Sequence, residues 1–320
     1  MSALGSPAPS GLLTQWSLQP LALLACALLA LWYVRSIRRL TRAGTRWPLR
    51  RSVVFGTGLA TVGWTTNGFA QAYASSLYWV WTAQTLVLLL IAPLLLLTGR
   101  PLQLARAAGA ERTVERVLTS RPARVLANPL VGPALVPLLS AVLFFGPLPG
   151  WAIEVAPAGW LLQLALVAIG ALITLPFVGW DEEPSSLAVG LSLAIGSFEL
   201  VLDAIPGIVL RLHSTVATTY FAHRSARPWS PSALDDQRVA GSILWCVSEV
   251  IDLPFLLLVF RRWLRADARD AAQVDAVLEA ERFARSALDG ESPPRSSEGP
   301  ADTPWWLSDP TLQRRMRRRD

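Results

Sequence analysis

The chain has 320 residues, of which 52% are hydrophobic and 16% are charged, and its net charge is +6. A mean hydropathy of +0.39 argues against a set of ordinary soluble domains. Apart from two histidines, every basic side chain is an arginine, and the arginines cluster between apolar runs and at the C-terminus. That distribution favours lipid headgroups over nucleic acid as the partner. Cys26 and Cys246 both lie in apolar runs, so no disulfide framework is indicated.

Apolar length predicts an all-α membrane bundle with seven transmembrane helices. The second predicted span has a polar face of threonines and one asparagine, a pattern typical of a helix that faces other helices. The fourth carries two prolines, which predict a kink. The spans are Trp16–Val34, Ser52–Ala70, Leu77–Thr98, Leu130–Gly146, Gly159–Gly179, Leu187–Val209 and Val239–Phe260.

The third span is the most apolar stretch, with aromatic residues at one end and Arg100 at the other. Such residues hold a helix between the two membrane interfaces. Pro93 would break a helix in water, but neighbouring spans can satisfy the freed carbonyl in a membrane bundle.

The distribution of arginines predicts the orientation. The connections after the first and third spans and the tail after the seventh are rich in arginine, whereas loops 71–76 and 147–158 have no basic residue. The positive-inside rule then places the N-terminus outside and the C-terminus in the cytoplasm of a multi-pass protein of the cell (plasma) membrane. Two connections fit this rule poorly: the acidic loop 180–186 and the arginine-containing loop 211–238.

The predicted organisation has four parts. Residues 1–15 form a short external N-terminus, and residues 16–262 form the seven-span bundle. Residues 263–288 form a cytoplasmic amphipathic helix, and residues 289–320 form a disordered tail with a basic end.

Four acids within the last two spans are candidate functional residues: Glu199, Asp203, Glu249 and Asp252. An acid in the bilayer centre costs about 3 kcal/mol by insertion scales, so it usually faces the bundle or a water-filled cavity. One interpretation is a cation or proton site. The other is a protonated acid that hydrogen-bonds neighbouring helices, or an acid paired with Arg211.

Ligands for a soft metal are scarce. The weak candidates are His213, His223 and Cys246, and the two histidines are too far apart in sequence to share one helical face. A lone histidine in a loop is more often a surface residue, and a cysteine in an apolar run is more often a small filler. No phosphate loop, HExxH motif, nucleophile elbow or CxxC pair occurs, so the sequence does not indicate an enzyme.

Two blocks of sequence resemble the CtaG family of cytochrome c oxidase assembly factors. The first is AQTLVLLLIAPLLLLTGRPLQLARA, which contains Gln84, Pro93, Gly99 and Pro101. The second is DDQRVAGSILWCVSEVIDLPFLLLVFRRWLRADARDAAQVD, with the motif positions Asp236, Gln237, Gly241 and Trp245. The resemblance covers residues 45–275. It implies a seven-span membrane protein that associates with cytochrome c oxidase subunits, and copper as a possible cofactor.

The chain departs from the family at two positions. The family commonly has a His-x-x-Gln-His arrangement around this glutamine, and here Trp81 and Thr85 occupy the histidine positions. Neither side chain can replace an imidazole as a ligand for copper(I). The resemblance therefore supports the family's fold and its association with oxidase biogenesis for this chain more strongly than it supports copper binding.

The leading hypothesis is a non-catalytic membrane protein that assists assembly of a haem-copper oxidase. One alternative is a cation- or proton-linked transporter that uses the intramembrane acids. Another is an interaction scaffold without a ligand.

Overall fold

The computed structural model describes residue 7 and residues 11–121, 132–178, 186–223 and 231–288. Every regular element in these ranges is helical, which confirms the predicted all-α fold. In chain order the helices are α1 (Gly11–Thr14), α2 (Pro20–Arg42), α3 (Leu49–Asn67), α4 (Phe69–Tyr73), α5 (Tyr78–Leu86), a π-helical turn (Val87–Ile91), α6 (Ala92–Thr98), α7 (Pro101–Ala107), α8 (Glu111–Leu118), α9 (Gly132–Phe144), α10 (Leu148–Glu154), α11 (Ala156–Val178), α12 (Ser186–Leu212), α13 (Thr219–His223) and α14 (Ala233–Leu288).

In the described part of the chain, four helical segments are long and apolar enough to cross a membrane. They are Pro20–Arg42, Tyr78–Ala107, Ala156–Leu175 and Val189–Leu212. A fifth is obtained if the pair Pro137–Phe144 and Leu148–Glu154, bent by 55°, forms one span. The chain is therefore a membrane protein. The helices at the second and seventh predicted spans, α3 and part of α14, are not among these segments.

The segment that the sequence singles out, Tyr78–Ala107, lies at the centre of the bundle. Of its most apolar window 67% is buried, against 17% for Pro20–Arg42. Helix α3 packs against α6, and α11 packs against both α6 and the π-helical turn. The third span therefore contacts protein on several sides, while much of α2 is exposed at the outside of the bundle.

Backbones approach closely where α12 crosses α14. A Cβ atom added to Gly241 would lie 2.6 Å from the Arg211 nitrogen and 2.7 Å from the Gly207 oxygen. A side chain at either glycine would therefore force the two helices apart. Trp245, one turn further along α14, has a backbone nitrogen 2.7 Å from a Cβ added to Gly207.

The chain divides into two compact units, Met1–Ala266 and Asp267–Asp320. In the second unit, the described residues form the end of α14, where Val274, Val277, Leu278 and Phe283 are exposed. The predicted disordered tail lies outside the described residues, as do residues 180–185 of the acidic loop and residues 224–230. The predicted loop 211–238 contains the short helix α13.

Candidate functional site

The third span changes its helical winding next to Pro93. Proline has no backbone N–H, so the carbonyl of Leu89 loses its usual α-helical donor, and the chain forms a π-helical turn over Val87–Ile91. Helix α11 approaches this point at Gly170, where an added Cβ would lie 1.8 Å from the Leu89 oxygen and 2.7 Å from Pro93 Cγ. Only a glycine allows that contact. Helix α11 therefore packs directly against the freed carbonyl.

Four glutamine side chains meet at the end of the third span that precedes this turn. Gln84 Nε2 donates to Gln71 Oε1 at 2.9 Å and to the Thr65 carbonyl at 3.0 Å. Gln163 Nε2 donates to the same Gln71 oxygen at 2.6 Å, and Gln19 Nε2 donates to Gln163 Oε1. The amides come from α4, α5, α11 and the segment before α2. Hydrogen bonds between them therefore tie together parts of the chain that are distant in sequence.

A cavity of about 330 Å³ opens beside this amide cluster. Trp81, Gln84 and Thr85 all line it, so the structure brings the glutamine of the family motif and the two replaced histidine positions into one wall. Gln71 and Gln163 add two more amides to the lining, and Ser17, Ser75 and Tyr220 add hydroxyl groups. Among the described residues, the lining contains no acidic or basic side chain and no His, Cys or Met. The cavity can therefore exchange hydrogen bonds with a ligand, but it provides neither charge nor a soft metal ligand.

Asp236 holds the helix that carries this wall. Its side chain is buried, and its two carboxylate oxygens accept hydrogen bonds from the backbone N–H groups of Tyr78 at 2.9 Å and Trp79 at 3.0 Å. These N–H groups lie at the N-terminus of α5, where helical donors lack partners and the helix dipole attracts negative charge. A carboxylate from the start of α14 therefore caps α5 across 158 positions of sequence.

Gln237 fixes the connection between α12 and α13. Its buried side chain accepts the backbone N–H of Ala217 at 2.6 Å and donates to the carbonyls of Leu210 at 3.1 Å and Thr215 at 3.0 Å. From α13, which follows this connection, the Tyr220 hydroxyl donates to the Ser75 carbonyl at 3.1 Å, and Tyr220 also lines the cavity. The adjacent motif residues Asp236 and Gln237 thus hold two borders of the same cavity.

Two other motif positions, Gly99 and Pro101, lie at the opposite end of the third span. An added Cβ at Gly99 would lie 2.7 Å from Phe55 Cβ, so α3 and the end of α6 are in close contact. The Gly99 carbonyl accepts a hydrogen bond from the Tyr33 hydroxyl at 3.0 Å. Pro101 begins α7 after Arg100, whose φ of 57° turns the chain sharply.

The candidate acids do not form a cluster among the described side chains. Asp203 is buried, and Glu249 accepts a hydrogen bond from Trp245 Nε1, one turn away on the same helix, at 3.2 Å. The side chains of Glu199 and Asp252 lie outside the described set. A transport site on these residues therefore stays a prediction.

The weak metal candidates are also separate. His213 is exposed and hydrogen-bonds within its own turn to Thr215, His223 ends α13, and Cys246 is exposed on α14. Within the part of the chain that the structure describes, no group of three or more His, Cys, Asp or Glu side chains could hold a metal ion.

The sequence prediction identified Gln84 but missed the three amides that surround it. Gln163 could have been found, because it is the one strongly polar side chain in the long apolar run of α11. Gln19 directly precedes α2, and Gln71 lies in the short helix α4, places where a glutamine is unremarkable. Their role depends on contacts over 144 and 92 positions of sequence, which no local pattern reveals.

A comparison with known protein families matches a region that includes the motif positions at this cavity. The family model described as cytochrome c oxidase caa3 assembly factor (Caa3_CtaG) matches residues 31–266. The chain belongs to this family. The match includes the third span, α11 and the start of α14. Of the described residues that line the cavity, all except Ser17 lie within the matched region.

Similar proteins occur in mycobacteria. An uncharacterized protein of Mycobacterium bovis and one of Mycobacterium tuberculosis are each 28% identical over 285 residues, which cover 84% of this chain and 42% of the relative. An uncharacterized protein of Mycobacterium leprae is 24% identical over 276 residues, covering 82% of this chain and 41% of the relative. The chain therefore spans less than half the length of these relatives. No solved structure matches the chain.

Proposed function

We propose that this protein assists the assembly of a haem-copper cytochrome c oxidase as a membrane-embedded partner and not as an enzyme. The observation that carries the proposal is the family match over residues 31–266, which contains the bundle around the cavity. The geometry supports a binding role, because the motif positions Gln84, Asp236 and Gln237 either line the cavity or hold its borders. Oxidase subunits are the proposed partners.

The residues at the cavity do not fit copper(I). The replaced histidine positions present an indole and a hydroxyl, and the other polar groups of the described lining are amides, hydroxyls and a second indole. Copper(I) prefers thiolate, thioether and imidazole ligands instead. We therefore propose that the protein serves oxidase assembly without holding copper in this cavity.

We also propose the topology that the arginines predict: seven spans in the plasma membrane, with the N-terminus outside and the C-terminus in the cytoplasm. Helices occur at all seven predicted positions in the described residues, although four or five of them have the length and apolar character of a span. In this orientation the amide cavity faces the outer half of the membrane, because Gln84 and Arg100 lie towards opposite ends of the third span.

The proposed organisation of the C-terminal region is a cytoplasmic amphipathic helix over residues 263–288, followed by the tail 289–320. Exposed apolar side chains at Val274, Val277 and Leu278 support this proposal, since they share one helical face. Membrane lipids are the proposed partner of that face.

A deletion strain tests the assembly role. We expect it to lose most of its assembled oxidase, measured from the haem spectrum of isolated membranes, while the transcripts of the oxidase subunits stay unchanged. Expression of the full chain from a plasmid should restore the spectrum. A deletion strain with a normal amount of active oxidase would overturn the proposed function.

A further inference from the structure

We propose that the cavity beside Gln84 binds an uncharged carboxamide or peptide group, through one acceptor and one donor of its glutamines. This inference goes beyond the assembly role, because it names the chemical class of the ligand from the cavity alone.

The first argument is the orientation of the glutamine amides. Both hydrogens of Gln84 Nε2 are used, one by the Thr65 carbonyl and one by Gln71 Oε1, which also accepts from Gln163. Among the described residues, Gln84 Oε1 and Gln71 Nε2 have no hydrogen-bond partner. Both residues line the cavity, so it offers one free amide oxygen and one free amide nitrogen. These groups complement the N–H and the carbonyl of another amide.

A second argument is the lack of charge. No acidic or basic side chain lines the cavity in the described residues, so an ion would lose its water without gaining a counter-charge. Part of the wall is apolar, with Trp81, Leu88 and Leu162, which suits the carbon atoms that flank an amide. A neutral polar ligand is therefore favoured over a cation, an anion or a hydrocarbon.

A third argument is the rigidity of the donors and acceptors. Gln84 is 3% exposed, and its helix is held at the N-terminus by Asp236 and at the π-helical turn by the contact with Gly170. Side chains fixed in this way lose little conformational entropy when a ligand binds. The volume of about 330 Å³ falls within the range of small-molecule sites and leaves space for groups attached to the amide.

The test uses the purified full chain in lipid nanodiscs and ligand-observed saturation-transfer NMR, with empty nanodiscs as the baseline. The probes are N-methylacetamide, methyl acetate, which lacks the N–H, and the ions acetate and methylammonium. We expect N-methylacetamide to bind at least threefold more tightly than methyl acetate, and the ions to give no signal above the baseline. Equal binding of the ester or of either ion would overturn the proposal.

Matched variants locate the site. Gln84→Leu should remove the preference for the amide, whereas Gln103→Leu on α7, which does not line the cavity, should retain it. Ala156→Trp fills the cavity from its wall without removing an amide, so it should abolish binding even if Gln84→Leu fails to fold. Retention of the preference in both Gln84→Leu and Ala156→Trp would show that the amide binds elsewhere and would overturn the proposal.

A last arm separates the two sources of an amide. N-acetyl-alanine methylamide carries two peptide groups. Binding at least tenfold tighter than that of N-methylacetamide would identify a polypeptide segment as the ligand, and equal binding would identify a small amide. These binding measurements use purified protein and no oxidase. Their failure can therefore be distinguished from failure of the deletion test.

Discussion

The two ends of the third span are held by different physical means. At the end with Gln84, buried amides and the carboxylate of Asp236 form a network of hydrogen bonds between distant segments. At the end with Gly99, the backbone packs directly on Phe55. The Tyr33 hydroxyl donates a hydrogen bond to the Gly99 carbonyl.

The difference indicates where function resides. The Gly99 end is filled by close contacts, including Tyr33 stacked on Phe55 with ring centroids 4.0 Å apart, and such packing serves stability. The Gln84 end borders a cavity and leaves an amide oxygen and an amide nitrogen without a partner among the described residues. Polar groups that line a cavity can pair with a ligand that enters it, so this end is the better candidate for binding.

The largest expected effect is at the polar end. Asp236→Ala leaves the N–H groups of Tyr78 and Trp79 without their acceptor, which should lower the free energy of unfolding by about 3 kcal/mol. The measurement is thermal unfolding in detergent. Asp235→Ala is the matched control, because Asp235 is exposed and the described residues that it pairs with are its sequence neighbours Ser232 and Arg238. Equal loss in both variants would contradict the capping role.

At the packed end, Gly99→Ala places a methyl group 2.7 Å from Phe55 Cβ and 3.1 Å from the Arg51 carbonyl. Because the two helices must shift to accommodate it, we expect a loss of about 2 kcal/mol in the same unfolding measurement. Gly56→Ala is the control, since an added Cβ there meets nothing within 4 Å. If both substitutions are tolerated equally, α3 and α6 are not in close contact at this position.

A smaller effect is expected for Tyr33→Phe. The substitution keeps the ring stacked on Phe55 but removes the hydroxyl, which donates to the Gly99 carbonyl and accepts from Trp47 Nε1 at 3.0 Å. The expected loss is about 1 kcal/mol. Trp32→Phe is a suitable comparison, because Trp32 is an exposed aromatic neighbour. A loss as large as that of Asp236→Ala would show that the packed end also depends on its hydrogen bonds.

Copper binding tests the ligand chemistry of the polar end, and this prediction involves no change in stability. Titration of the purified protein with copper(I), in competition with a chromogenic chelator, should show no stoichiometric binding. The double variant Trp81→His and Thr85→His would place two imidazoles in the cavity wall and should gain binding. Tight one-to-one binding by the unaltered protein would contradict the proposed loss of the ligands.

The sequence was sufficient to predict the all-α membrane fold and to single out the third span as its most apolar segment. Apolar length and the proline at position 93 are local signals, and they translate directly into helices and a break in winding. The amide cluster could not be predicted in the same way. Gln19, Gln71 and Gln163 acquire their role only when four separate segments meet, and a single chain without aligned relatives gives no indication that they do.

The motif positions show the same limit. The resemblance identified Asp236 and Gln237, but their chemistry could have suggested a proton or metal site as readily as a structural role. The structure shows that each binds backbone groups: Asp236 caps α5, and Gln237 holds the connection before α13.

Complementation of the deletion strain tests most directly the claim that the polar end of the third span serves oxidase assembly. Gln84→Leu and Gln103→Leu should be expressed to equal levels in the membrane, and the assembled oxidase measured from its haem spectrum. We predict that Gln103→Leu restores the oxidase and that Gln84→Leu restores less than a fifth of it. Full restoration by Gln84→Leu would contradict the account.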